Sequence, residues 1–282
     1  VLGGPASAQQ ATASTSVEPV RFDSRGATIA GDIYFPAGTP TAGIVLVHGS
    51  GPEPRTRGGL ARLFARDGVA VLTYDKRGVG ESGGSYEGTD NVSRDNLHLL
   101  AADAAAAVDT LAAHARLRPR RVGLMGMSQA GWIIPIAAAE NRRVAFMALW
   151  SGPVCRVSDE LLFGVASREN MAAENAAHAR EGSAPQNVDA TRRYAAQLRA
   201  DGTDVDPRDS LRVLNIPGFW LFGGRDNEIP TEQSVRQLAE LIATGKPNFE
   251  QRTLPEAEHA MRGADQEAYR ITIDWIRAHA AV

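Results

Sequence analysis

Cysteine is nearly missing. Cys155 is the one thiol in 282 residues, so no intrachain disulfide can form and no cysteine metal cluster can be built. That leaves the compartment open, because exported proteins also do without disulfides. An excess of charge is missing too. Thirty Lys and Arg stand against 33 Asp and Glu, and a net charge of −3 offers no electrostatic case for a nucleic-acid partner. No apolar run is long enough to span a bilayer. What remains is an ordinary globular composition, 43% apolar, at a length that suits one large α/β domain or one domain with a sizeable insertion.

Val1 to Gln10 reads as the end of a secretory signal peptide, with Ala6-Ser7-Ala8 as the A-x-A cleavage site. Residues 1–16 would then be a leader remnant and a loose mature N-terminus, and 17–282 the folded domain. The expectation is an exported protein, periplasmic or secreted. A cytoplasmic protein with a small-residue tail is the alternative if the match is chance.

The stretch that organises the chain is Arg121 to Ile136. Val122 to Met127 reads as a buried strand, and it ends in Gly126-Met127-Ser128-Gln129-Ala130-Gly131, with helix-forming residues behind. Strand, sharp turn and helix is the context of a nucleophile elbow, which pushes one side chain out over the sheet end. Residues two before and two after that side chain must be small, because strand and helix come close there. Gly126 and Ala130 meet the demand, although glycine is usual at the second place.

The other segments fit one sheet. Val17–Phe22 and Thr28–Phe35 form an edge hairpin, and Gly43–Val47 is a central parallel strand. His48-Gly49-Ser50-Gly51-Pro52 follows it. Its N–H groups could hold an oxyanion, and a plain tight turn accounts for the same residues. Given Ser128, the N–H of Ser50 is the best first donor and that of Gln129 the second, while His48 is expected to brace the loop. After the strand Val69–Tyr74, Gly78, Gly80 and Gly83 satisfy G-x-G-x-x-G. A dinucleotide site is rejected, because the chain continues as loop to a helix near Asn91 instead of starting one inside the motif. Asp75 and Arg77 are expected to fix that loop. A long helix, Asn91–Arg116, carries His98 and His114 as surface or packing residues, and Val144–Trp150 is a further strand.

Val154 to about Leu214 reads as an insertion of helices around 160–180 and 190–200, a cap over the strand ends. Cys155 and His178 are taken as structural, and Asp201, Asp204, Asp206 and Asp209 as solvated loop charges. Gly218–Phe222 and Phe249–Leu254 complete the sheet, and a helix from Gln266 closes the chain.

A serine hydroxyl needs a base to take its proton, and a carboxylate must orient that base. Of the histidines after Ser128, only His259 lies on a loop that follows a strand. Asp226 follows a strand directly, behind Gly223-Gly224, with Glu228 as its rival for the acid. Placement thus yields the order Ser128, Asp226, His259.

With these motifs together, the chain resembles the α/β-hydrolase superfamily of serine esterases and peptidases along nearly all its length after Val17. The resemblance rests on His48-Gly49-Ser50-Gly51-Pro52, Asp75-Lys76-Arg77-Gly78-Val79-Gly80-Glu81-Ser82, Gly126-Met127-Ser128-Gln129-Ala130-Gly131, Gly223-Gly224-Arg225-Asp226 and Glu258-His259. It implies an α/β fold with a sheet of about eight mostly parallel strands, helices on both faces and a cap before the acid. The expected function is hydrolysis of a small-molecule carboxylic ester through an acyl-enzyme, with no metal or organic cofactor. An aminopeptidase or thioesterase on the same triad is the alternative, and a non-catalytic binding protein a further one. Gly51, Met127 and Trp132 are candidate pocket residues.

Overall fold

The computed structural model describes residues 15–55, 59–88, 91–117, 120–176 and 188–280, with side chains up to 167 in the fourth stretch. The leader reading, His178 and the turn at 182–185 lie outside the described residues.

The chain opens on a hairpin of β1 (Ser16–Ser24) and β2 (Ala27–Phe35), paired antiparallel from Ser16↔Phe35 to Ser24↔Ala27. Arg25 and Gly26 alone make the turn, both with positive φ (43° and 77°), the backbone that a two-residue loop needs to match strand twist. Next come β3 (Ala42–Val47), α1 (Gly59–Arg66), β4 (Val69–Tyr74), α2 (Arg94–Ala113), β5 (Val122–Met127), α3 (Ala130–Glu140) and β6 (Val144–Trp150). Three helices follow, α4 (Val157–Ala176), α5 (Val188–Ala200) and α6 (Pro207–Val213). The sheet resumes with β7 (Gly218–Gly223), α7 (Thr231–Ala243), β8 (Phe249–Leu254) and the closing α8 (Asp265–His279).

Eight strands form one sheet in the order β1-β2-β4-β3-β5-β6-β7-β8. β1–β2 and β2–β4 are antiparallel, and the other pairs are parallel. This is the α/β-hydrolase architecture. β4, β6 and β7 are buried on both faces, which is why they read as near-continuous apolar runs. One core joins Val45, Leu72 and Leu124 to Leu97 and Leu111 of α2, Ile133 of α3 and Leu238 of α7. The other joins Ile44, Val71 and Met125 to Phe64 of α1 and to Ile273, Trp275 and Ile276 of α8. Among the described residues, no helix is long and apolar enough to cross a membrane.

Two expectations need correction. The helix expected over 91–116 begins only at Arg94, after the Ser93 cap, and breaks at His114. His114 is extended (φ −67°, ψ 132°) and held against the Phe35 ring, 4.6 Å between centroids, and Glu18 at 3.2 Å. The second correction concerns Asp204 and Asp206, which are not solvated charges, since each side chain is 2% exposed. Asp204 accepts from the Ser158 amide (3.0 Å) and hydroxyl (2.6 Å), tying α4 to the end of α5. Asp206 caps α6 through the Arg208 amide at 3.0 Å, with Pro207 in the first turn, where a missing N–H costs nothing.

Candidate active site

β5 meets α3 in the strained turn the sequence calls for. Ser128 has φ 56°, left-handed backbone that a non-glycine residue adopts only where its surroundings enforce it. Its N–H donates to Trp150 O at 3.2 Å, and its own carbonyl accepts from Gly131 N–H at 2.8 Å. A Cβ on Gly126 would lie 2.5 Å from the Ala130 methyl and 2.8 Å from Val47 O, so the small pair is a steric requirement. Ala130 fits because Gly126 leaves room for its methyl. Gly131 is needed as well, since a Cβ there would meet Pro153 Cδ at 2.5 Å.

The acid and the histidine enter from the neighbouring strand ends. Asp226 sits after β7 and His259 after β8, and the ring's Nδ1 lies 3.0 and 3.1 Å from the two carboxylate oxygens. Asp226 Oδ1 also accepts from the N–H groups of Glu228 (3.0 Å) and Ile229 (3.2 Å). Both residues are largely buried, at 9% and 8% exposure. Burial pushes the Asp226 carboxyl up, but hydrogen bonds from His259, Ser151 and the Glu228 amide, with the ring's charge, hold it below its ordinary value. Burial likewise pulls His259 down, and the carboxylates of Asp226 and Glu228 raise it above 6.5 on balance.

Ser151 is the link the sequence did not single out. It has φ 47°, it is fully buried, and its hydroxyl accepts from Ala260 N–H at 3.1 Å while bonding Asp226. It also follows Trp150, whose carbonyl holds the Ser128 amide. Its one sequence signal is the break at Ser151-Gly152-Pro153 after β6. Ser128, Asp226 and His259 thus follow β5, β7 and β8, and residues 150–151, at the end of the intervening β6, join them. Among the described residues, Ser128 Oγ makes no hydrogen bond to the ring. The ring's Nε2 faces Glu228 Oε2 at 3.6 Å, so Glu228 lies at the other nitrogen from Asp226.

The loop after β3 lies against the elbow: a Cβ on Gly49 would sit 3.7 Å from Ser128 Cβ. Among the described residues, neither the Ser50 nor the Gln129 N–H has an acceptor. His48 is a brace. It is 9% exposed with its ring edge-on to Tyr74 at 4.5 Å, and burial beside the Lys76 charge pulls it down to about 4. Met127 lines a cavity of about 240 Å³ with Leu46, His48, Gly49, Pro54 and Leu60. Gly51 is not among the residues lining it, and Trp132 is committed elsewhere. Its indole is 2% exposed and donates to Cys155 O at 3.0 Å, pinning α3 to the turn before α4. Cys155 is buried, and burial pushes its thiol up, so it is no reactive nucleophile. Among the described residues, no group of three or more His, Cys, Asp or Glu is placed to hold a metal ion.

The pattern of the prolyl oligopeptidase family matches residues 56–282. The chain belongs to the prolyl oligopeptidase family. The matched span runs from α1 to the last helix and so contains the elbow, Asp226 and His259. The chain is also 26% identical over 267 residues to esterase EstD of Thermotoga maritima, an alignment covering 87% of this chain but 61% of that protein. Among solved structures, an esterase from Pyrococcus furiosus superposes with a TM-score of 0.70 at 17% identity, covering 95% of this chain and 93% of that one. The acylaminoacyl peptidase of Pyrococcus horikoshii superposes with a TM-score of 0.63 at 18% identity, and this chain corresponds to 41% of it. At those identities the likeness is one of fold.

Proposed function

We propose that this member of the prolyl oligopeptidase family is a serine hydrolase that cleaves carboxylic esters with Ser128, His259 and Asp226. The observation that carries the reading is the buried Asp226–His259 pair, 3.0 Å apart, on strand ends beside a serine held at positive φ. His259 would take the Ser128 proton as the hydroxyl attacks an acyl carbonyl. The tetrahedral oxyanion would be received by the free N–H groups of Ser50 and Gln129, the latter at the N-terminus of α3. His259 then protonates the leaving group, and water repeats the sequence to release the acid. Closure of Nε2 onto Ser128 is the motion this asks of the ring, and such bonds commonly tighten only when substrate binds.

A peptidase is the second reading, favoured by the family itself and by the likeness to an acylaminoacyl peptidase. The same triad serves ester, thioester and amide. In both readings α4–α6, between β6 and β7, serve as a cap. The deciding experiment is labelling by a fluorophosphonate probe, wild type beside Ser128→Ala, followed by p-nitrophenyl esters and aminoacyl anilides. Labelling lost in the variant supports an activated serine, and the panels choose between the readings. No labelling of folded wild type would overturn both. Export belongs to the proposal as well, on Ala6-Ser7-Ala8. N-terminal sequencing of protein from the periplasmic and culture fractions tests it.

A further inference from the structure

Only two of the chain's 30 basic residues are lysines, Lys76 and Lys246. Lys76 is 3% exposed, directly after β4 in the glycine-rich loop. Its Nζ donates to Gly49 O at 2.7 Å, to Gly51 O at 3.2 Å and to Gln129 Oε1 at 3.2 Å. Its backbone N–H donates to Glu53 O at 3.0 Å. Tyr86, from the same glycine-rich stretch, donates its hydroxyl to Ser50 O at 3.2 Å. All three carbonyls from Gly49 to Gly51 are therefore claimed by residues that follow β4.

Gly49 C=O and Ser50 N–H belong to one peptide unit, and in a trans peptide the two point in opposite directions. Fixing that carbonyl on Lys76 aims the Ser50 N–H the other way and, by polarising the unit, makes it a better donor. The same ammonium orients the side chain of Gln129, whose N–H is the second proposed donor. Three donors spread around a compact charge suit three acceptors from two loops, whereas a planar guanidinium does not. In a chain that uses arginine at 28 of its 30 basic positions, that geometry gives lysine a reason here.

We propose that Lys76 is a positioning residue of the oxyanion site, setting the direction of the Ser50 amide and the placement of Gln129 from below. The inference rests on the serine-hydrolase reading and deepens it. Burial pulls Lys76 down to about 8, with Glu53 acting in the opposite sense. The other titratable groups around it are His48, neutral through burial, its sequence neighbour Asp75, and Tyr86, whose ring centre lies 5.8 Å from Nζ. Activity should climb with pH through the titration of His259 and fall above about 8 as Lys76 loses its proton.

The test compares wild type, Lys76→Met and Lys76→Arg in fluorophosphonate labelling rate and in kcat and KM for a p-nitrophenyl ester from pH 5.5 to about 10. Lys76→Met, checked for folding by circular dichroism, should lose at least about tenfold in kcat and labelling rate with KM nearly unchanged. Lys76→Arg keeps its charge in a shape that fits the three acceptors less well, so it should have a lower kcat than wild type but no downward limb near pH 8, about where wild type shows one. A folded Lys76→Met that labels at the wild-type rate overturns the inference. If Lys76→Met does not fold, a downward limb unmoved in Lys76→Arg does so. An unlabelled wild type removes the hydrolase reading and this inference together, whereas a labelled wild type with an unaffected Lys76→Met removes this inference alone.

Discussion

His259 Nε2 lies 3.6 Å from Glu228 Oε2, while Asp226 holds the ring's other nitrogen. Glu228 also pairs with Arg262 at 3.2 Å and is about half exposed. In sequence it stands two residues from Asp226, and the structure gives the two carboxylates different nitrogens of one ring. Glu228 adds negative charge where the serine proton must arrive, and so favours the charged ring. Glu228→Gln should lower the value of His259 and move the rising limb of the kcat/KM profile to lower pH. The gain at pH 6 should stay below about threefold, because a half-exposed charge is screened. A pH–rate series in both proteins checks it, and a limb displaced upward would refute it.

Asp226→Asn should cut kcat by about 10³–10⁴-fold by presenting the wrong tautomer to the serine. Its effect on stability depends on pH. Asp226 is lowered, so its contribution is present above about 3.8 and lost as pH falls through its folded value. His259 is raised, so its contribution is complete below 6.5 and lost as pH rises through its folded value. The Tm difference between wild type and Asp226→Asn should therefore be larger at pH 5 than at pH 8. Thermal unfolding at the two pH values measures it.

Arg77 and Asp103 form a deeply set ion pair, at 5% and 0% side-chain exposure, with Arg77 Nε 3.0 Å from Oδ2. Burial raises the Asp103 carboxyl, and Arg77 counteracts this. Arg77→Met strands that carboxylate and should cost about 3–5 kcal/mol in urea unfolding. The loss should shrink as pH is lowered and Asp103 protonates. Arg77→Met with Asp103→Leu should recover much of it.

Gly126→Ala places a methyl where the Ala130 side chain and Val47 O already are. Strand and helix would have to part, at about 1–3 kcal/mol. Ser128 would move with them, so labelling should slow even in protein that remains folded. Equal labelling rates in wild type and variant would refute this.

Elements made by local pattern were legible in the sequence. β5 and β6 match to the residue, because each is an apolar run between charged or turn-forming flanks. The elbow was legible because its steric demand falls on the residues two before and two after Ser128, and the Asp226–His259 pair because both lie on loops that follow strands. What escaped depends on contacts distant in sequence. Asp204 and Asp206 look like any acidic loop until α4 and α5 fold over them. Trp132 looks like a pocket residue until Cys155 O takes its N–H. Ser151 and Lys76 are single polar residues whose partners lie 109 and 53 positions away, so no spacing rule reaches them. The rarity of lysine was the one available sign of Lys76.

The position of β8 bears on how the molecule gains its chemistry during folding. Among the described residues it is the last strand in sequence and an edge of the sheet, paired only with β7, yet it delivers His259. A refolding chain can collapse and form most of its helices while β7 and β8 are still undocked, because β7 must find β6 across α4–α6, Met147 opposite Gly218, and pairings distant in sequence close late. Far-ultraviolet dichroism should then recover first and probe reactivity last, with the interval timing the arrival of the final strand.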